Sequence, residues 1–208
     1  MKLVIFGATG SVGIHLVKNA LAKGHQVTAF SRSAGKLQTL KHENLNIFEG
    51  DLMDSEAVTV AITNQDAVLC AIGDGRAGKV RAIGTKHIIE GMKKANVKRL
   101  ICQTTLGLGS SAGNLDFVWK YIMFGFFLKK AFKDHEVQEQ YLFGCDRDYT
   151  IVRPSAFTDG EITKQYIVGF DGSYKNLSLK ISRADVADFM IDQLANPQGI
   201  KKAISISN

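Results

Sequence analysis

Residues 3–13 read Leu3-Val4-Ile5-Phe6-Gly7-Ala8-Thr9-Gly10-Ser11-Val12-Gly13. The apolar run 3–6 predicts a buried strand, and the pattern from Ser11 predicts a helix to Lys23, closed at Gly24. Between them lies G-x-x-G-x-x-G. Gly7 permits a tight turn, Gly10 lets a phosphate approach the backbone, and Gly13 lets the helix pack close to the sheet. The helix start then offers free N–H groups and a partial positive charge to a pyrophosphate. A glycine motif alone is weak. The strand before it and the helix after it make it strong evidence for a dinucleotide. The plain alternative is a glycine-rich turn without a ligand.

The alternation of strand and helix continues. Strands are predicted at 26–30, 45–49, 66–71, 99–103, 149–153 and 203–206. Helices are predicted at 35–41, from an N-cap at Asp54 to 63, at 79–95, over a long stretch 115–143, and at 183–194 behind a Ser182/Asp185 capping box. Residues 160–180 read as irregular, with extended pieces near Ile167 and Leu177. Strands alternating with helices imply a doubly wound, mostly parallel α/β sheet with helices on both faces. The 208 residues fit a single domain with no proline-rich linker, since Pro154 and Pro197 are the only prolines. Ligands of such sheets sit beyond the carboxyl ends of the strands.

Those strand ends carry candidate residues. After the second strand comes Ser31-Arg32-Ser33, where NAD sites place an acid for the ribose 2′-hydroxyl. Arg32 suits a 2′-phosphate instead, with Lys36 as a second cation, so NADP(H) is expected. The alternative is a solvated arginine. Asp51 suits the adenine amino group with Leu52 against the ring, or serves as a plain turn residue. Ala71, Ile72 and Gly73 leave room for ribose and phosphate, and Arg76 is set for phosphate or water. Thr104 and Thr105 face the nicotinamide and substrate, or satisfy loop backbone groups.

Composition narrows the function. The net charge of +6 is spread among acids, and its densest group (Lys93, Lys94, Lys98, Arg99) straddles a helix end, where cations suit the dipole. No nucleic-acid partner is expected. Cys70, Cys102 and Cys145 form no C-x-x-C pair, which suggests reduced thiols. The first apolar run is too short for a signal peptide, and the apolar stretch 117–128 falls short of the ~20 residues of a membrane span. A cytoplasmic monomer or weak homodimer is expected. The stretch 117–128 reads as core, lid or dimer surface, with core packing preferred. His135 and Glu139 are read as a helical pair rather than metal ligands. The residues four after Tyr121, Tyr141, Tyr149, Tyr166 and Tyr174 include no lysine, which removes the usual phenol/ammonium proton relay.

In order, GATGSVG, FSRSAGK, EGDLMD, VLCAIG, QTTLG, DHEVQEQYL, DYTIVRPSAFTDG and ISRADVADFM give the chain a resemblance to the atypical short-chain dehydrogenase/reductases. It is most similar to their NmrA-like members and to the flavin reductase (NADPH), or biliverdin-IXβ reductase, branch. The resemblance spans nearly the whole chain and implies a Rossmann domain over 1–208, with a substrate cleft built from about 104–182. It implies that Gly7, Thr9, Gly10, Ser11, Val12 and Gly13 hold the cofactor phosphates and Arg32 the 2′-phosphate. Thr105 matches a catalytic-site serine. Pro154, Ser155, Ala156 and Phe157 match the wall beside nicotinamide and substrate. Thr105, Phe157 and Trp119 are expected to bound the apolar substrate cleft. Ala156 departs from a histidine of the flavin reductase. The implied activity is NADPH-dependent reduction of a flavin, tetrapyrrole or quinone; a non-catalytic NADP(H) sensor is the competing expectation.

Overall fold

The computed structural model describes residues 1–33, 35 and 37–208. Ten strands and five α-helices follow in chain order: β1 (Lys2–Phe6), α1 (Gly13–Ala22), β2 (Gln26–Ser31), β3 (Leu45–Glu49), α2 (Ser55–Ile62), β4 (Ala67–Cys70), α3 (Arg81–Lys94), β5 (Arg99–Gln103), α4 (Lys129–Phe143), β6 (Asp148–Pro154), β7 (Ala156–Thr158), β8 (Ile167–Val168), β9 (Lys180–Ser182), α5 (Arg183–Asp192) and β10 (Lys202–Ser207). Eight strands form one sheet in the order β3-β2-β1-β4-β5-β6-β10-β8. All its pairings are parallel except β10–β8. The expected doubly wound Rossmann architecture is therefore present.

The central strands read as continuous apolar runs because both faces are covered. Leu3, Ile5, Leu69 and Ile101 pack with Leu16, Val17, Val186 and Met190 on the α1/α5 face. Val4, Phe6, Val68 and Leu100 pack with Val58, Ile88, Met92 and Leu142 on the α2/α3/α4 face. β1 pairs with β2 on one side and β4 on the other, both parallel, so the order in which strands are added to the sheet reverses at β1. That switch point opens the crevice described below.

Local signals set most boundaries. The Asp54 carboxylate accepts from Glu56 N and Ala57 N, capping α2 as expected. Ser182 Oγ accepts from Asp185 N at 2.9 Å, the first half of a capping box. The second half is absent. The Asp185 carboxylate accepts from Ser182 Oγ at 2.9 Å and from Thr163 N, Thr163 Oγ1 and Lys164 N, anchoring the irregular segment before β8.

Several expectations need correction. Gly35 and residues 37–39 form turns rather than helix, and Leu37 is the one fully buried residue among those described in 35–41. The long helix over 115–143 is two pieces, a π-helix (Val118–Phe127) and α4, with a separate 3-10 segment (Gly109–Asn114) ahead of them. Leu128 N donates to Met123 O, five residues back, at 2.6 Å. That wider pitch brings residues five apart to one face, so the Trp119 and Phe124 rings pack tilted at 47° with centroids 5.7 Å apart. No residue of Val118–Phe127 is buried, so the segment is not core. Extended structure falls at Lys180–Ser182 rather than at Leu177, and β7 was not anticipated.

The largest fully buried side chain is Arg153 of β6. Its Nε donates to Glu139 Oε1 at 2.8 Å and its Nη2 to Oε2 at 2.6 Å. Thr104 Oγ1 adds a third bond to Oε1 at 2.8 Å, and Arg153 Nη1 reaches Ser110 Oγ. The pair thus ties α4 to the ends of β5 and β6. The expected His135–Glu139 pairing does not form, because Glu139 is held here. Removing one member leaves a buried charge unmatched. Arg153→Ala is expected to lower unfolding free energy by about 3–5 kcal/mol in a urea titration; a loss below about 1 kcal/mol would show the pair contributes little.

Candidate cofactor and substrate cleft

The carboxyl ends of β1, β2, β4, β5 and β6 border one cleft of about 1110 Å³. Its first part is the glycine turn. Gly7 has φ +80°, and a Cβ there would meet Ala71 O at 2.4 Å. A Cβ on Gly13 would lie 2.0 Å from Gly7 O. Gly10 N donates to Gly7 O at 2.8 Å, closing the turn. Gly13 therefore lets α1 start directly against β1, and Gly7, Thr9, Gly10, Ser11 and Val12 line the cleft in front of it. Val12 has no side-chain cap bond and the first helical turn carries no acid, so this end of α1 is open to an anion.

Next comes the end of β2. Ser31 is buried, with Oγ 3.2 Å from Thr9 Oγ1 and donating to Ser33 O at 3.0 Å. Arg32 is exposed and lines the cleft. Lys36 lies outside the described residues. Asp51 and Leu52 line the cleft, and Asp51 Oδ1 accepts from Met53 N at 2.9 Å, so one oxygen of Asp51 already serves the turn. Ala71, Ile72 and Gly73 line it as expected, and a Cβ on Gly73 would meet nothing within 4 Å. Arg76 is not among the lining residues; its guanidinium stands over the Phe127 ring, 5.7 Å from the centroid.

The other end is apolar. Thr105, Leu115, Trp119, Phe124, Leu128, Pro154, Ala156 and Phe157 line it. Thr104 lines it too, but its hydroxyl is turned to Glu139. Thr105 is half-buried, and its Oγ1 makes only a long 3.3 Å bond to Leu106 O. Gln103 Oε1 and Ser155 Oγ are buried without partners, and both residues line the cleft. Unpaired polar atoms at a cleft wall fit a ligand that brings its own donors and acceptors, as a carboxamide does. No tyrosine lines the cleft.

Four titratable residues line the cleft that the sequence pattern does not assign to it: Asp74, Arg81, His135 and Arg183. Arg183 lies over the Phe157 ring at 5.5 Å and donates to Asp159 Oδ1 at 2.7 Å. Arg81 is buried, paired with Asp74, and donates to Gly75 O at 3.1 Å. Asp134 of α4 accepts from Arg81 N at 3.0 Å and Ala82 N at 3.1 Å, capping α3 from a neighbouring helix. His135 follows on the same buried face. Gln138 Nε2 donates to Thr85 Oγ1 at 2.9 Å and to Cys102 Sγ, which turns Gln138 Oε1 to His135 Nδ1 at 2.8 Å. His135 is thereby held as the Nδ1–H tautomer, leaving Nε2 as the acceptor of a side chain that lines the cleft. The signal is an Asp134-His135 pair on the inner face of a helix, whereas spacing alone reads His135 as the hydrogen-bond partner of Glu139. Among the described residues no His, Cys, Asp or Glu group is arranged to hold a metal.

A parallel sheet with a glycine turn at its switch point, an uncapped helix behind it and an apolar wall opposite defines a nicotinamide dinucleotide-binding Rossmann domain. Residues 7–197 match the family model described as NAD(P)H-binding, and the chain belongs to that family, among the atypical short-chain dehydrogenase/reductases. It is similar to the UPF0659 protein YMR090W of Saccharomyces cerevisiae, at 28% identity over all of this chain and 93% of that one. Among solved structures it is similar to the oxidoreductase ylbE of Lactococcus lactis (26% identity, TM-score 0.84, 100% of this chain and 91% of that). It is also similar to ChuY, an anaerobillin reductase of Escherichia coli O157:H7 (26% identity, TM-score 0.80, 99% and 96%). The chain is thus an NAD(P)H-binding protein of oxidoreductase type.

Burial, with the Arg81 charge second, pushes the His135 imidazolium pKa from 6.5 down to about 4. The unfolded chain therefore takes up this proton first, and stability falls as pH drops from about 6.5 to about 4. The full effect is about 3 kcal/mol. Comparing urea unfolding of the wild type and His135→Gln across pH 4–7 checks it: the wild type is expected to lose that much more. Parallel pH profiles would contradict the assignment.

Proposed function

We propose that the protein is an NADPH-dependent reductase that passes a hydride to a flavin, a biliverdin-like tetrapyrrole or a quinone. The observation that carries the reading is one continuous cleft. It joins a pyrophosphate turn, an arginine where NAD sites carry an acid, and an aromatic chamber with no tyrosine in its walls. Bound NADPH supplies the hydride; the chain supplies position and a dry surface. Arg32, beside Ser31 and Ser33, holds the 2′-phosphate. Lys36 is assigned a second charge there on sequence grounds. Asp51 and Leu52 border the adenine, and Ala71, Ile72 and Gly73 the ribose and phosphate.

The substrate half of the cleft is assigned to residues 104–182. Trp119 and Phe157 offer flat apolar faces to a planar acceptor, and the weakly bonded Thr105 hydroxyl is free to reorient toward it. Pro154 and Ser155 wall the nicotinamide. Ala156 provides no proton donor, so the acceptor takes its proton from water. The similarity to ChuY, itself a reductase, supports this class of acceptor. Free thiols at Cys70, Cys102 and Cys145 suit a reducing, cytoplasmic setting.

NADPH oxidation assayed with FMN, FAD, biliverdin and quinones is expected to exceed the uncatalysed rate for at least one acceptor. NADPH affinity with no turnover on any of them would favour the sensor reading that Ala156 and the missing relay also suit. For the cofactor, Arg32→Ala is expected to raise the NADPH Kd about 10–100-fold, the worth of a charge-assisted contact, while leaving NADH binding little changed. Equal changes for both dinucleotides would show that Arg32 does not read the 2′-phosphate.

A further inference from the structure

The π-helical segment has two faces. Trp119, Phe124 and Leu128 line the cleft, while Phe117, Tyr121, Ile122, Phe126 and Phe127 face outward. Phe117 is 69% exposed and Phe126 75%. Contiguous exposed aromatic surface on a water-soluble fold marks a contact site. The surrounding charge indicates what it contacts. Between residues 117 and 133 the chain has four lysines (Lys120, Lys129, Lys130 and Lys133) and no acid. All four are exposed. Lys120 Nζ lies 5.3 Å from the Tyr121 ring centroid, and Arg76 stands over Phe127, so cations are interleaved with the aromatic groups. Lys120, Lys129 and Lys133 also border one hollow beside Phe124 and Gly125, with Glu136 on its rim. Asp116 precedes the patch, and its carboxylate accepts from Trp119 N.

We infer that this face docks on an anionic lipid bilayer, lying in the headgroup layer without crossing it. Exposed Phe and Tyr insert at the boundary between headgroups and acyl chains, while lysines around them pair with lipid phosphates. No helix among the described residues is long and apolar enough to span a membrane. A second copy fits this surface less well: a two-fold contact would set the lysines of one chain against those of the other. The docked face borders the cleft mouth, since the opposite side of the same segment walls the chamber. The docking holds whatever acceptor the chamber takes.

The test is cosedimentation of the full chain, without NADPH or acceptor, with vesicles of phosphatidylcholine alone and of equimolar phosphatidylcholine and phosphatidylglycerol. Binding is expected to the anionic vesicles only, and to weaken with salt. Lys129→Glu with Lys130→Glu is expected to cut partitioning at least about tenfold, and Phe117→Ser with Phe126→Ser to abolish it. None of these four residues lines the cleft, so both variants keep wild-type NADPH affinity, which also reports that they fold. Failure of the wild type to sediment with anionic vesicles overturns the inference. So does vesicle binding that both variants retain. Self-association that Phe117→Ser with Phe126→Ser abolishes, with vesicles ignored, assigns the face to a second copy instead.

Discussion

Helix α1 begins in contact with the turn that precedes it. The Gly13 position has no room for a side chain, because the Gly7 carbonyl occupies that space, and Gly7 itself presses on the Ala71 carbonyl at the end of β4. This close approach draws β1, β4 and α1 together at the one point where the sheet order reverses. It also leaves the helix start facing outward with its N–H groups unused by any side chain. The cleft in front of the turn is thus a consequence of packing, and its preference for an anion follows from the backbone alone.

The opposite wall depends on polar groups supplied from a distance. Glu139 gathers Arg153 and Thr104, which fixes where β5 and β6 end. One turn earlier, Asp134 caps α3 and His135 is oriented through Gln138. A single face of α4 therefore holds the cleft floor, an adjacent helix and a neutral imidazole. Burying this many polar groups is stable only because nearly all are matched. The orphaned Gln103 and Ser155 atoms border the chamber, where a bound ligand's polar groups would complete them.

Much of the fold was legible because its signals are local. The glycine turn, the Asp54 cap, the apolar run of β4 and the arginine after β2 each declare themselves within a few residues. What could not be read depends on contacts far apart in the chain. Asp134 caps backbone groups more than fifty residues away, so its role leaves no pattern around it. Glu139 was matched to His135 by spacing, whereas its partner lies on a strand. Val118–Phe127 is as apolar as a core helix, and only the tertiary structure reveals that it stands at the surface. Within the cleft, Arg32 was accessible to sequence reasoning because it occupies a fixed position after a strand. Arg81 and Arg183 open helices, positions that carried no comparable signal.

The central claim is that the glycine turn, Arg32 and the aromatic chamber serve one extended NADPH molecule. A crystal structure of the complex with NADP+ tests it most directly. The expected result has the pyrophosphate over Thr9, Gly10, Ser11 and Val12, the 2′-phosphate against Arg32, and the nicotinamide beside Thr105 and Ser155. A nucleotide whose 2′-phosphate points away from Arg32, or whose nicotinamide lies outside the chamber, would contradict the account.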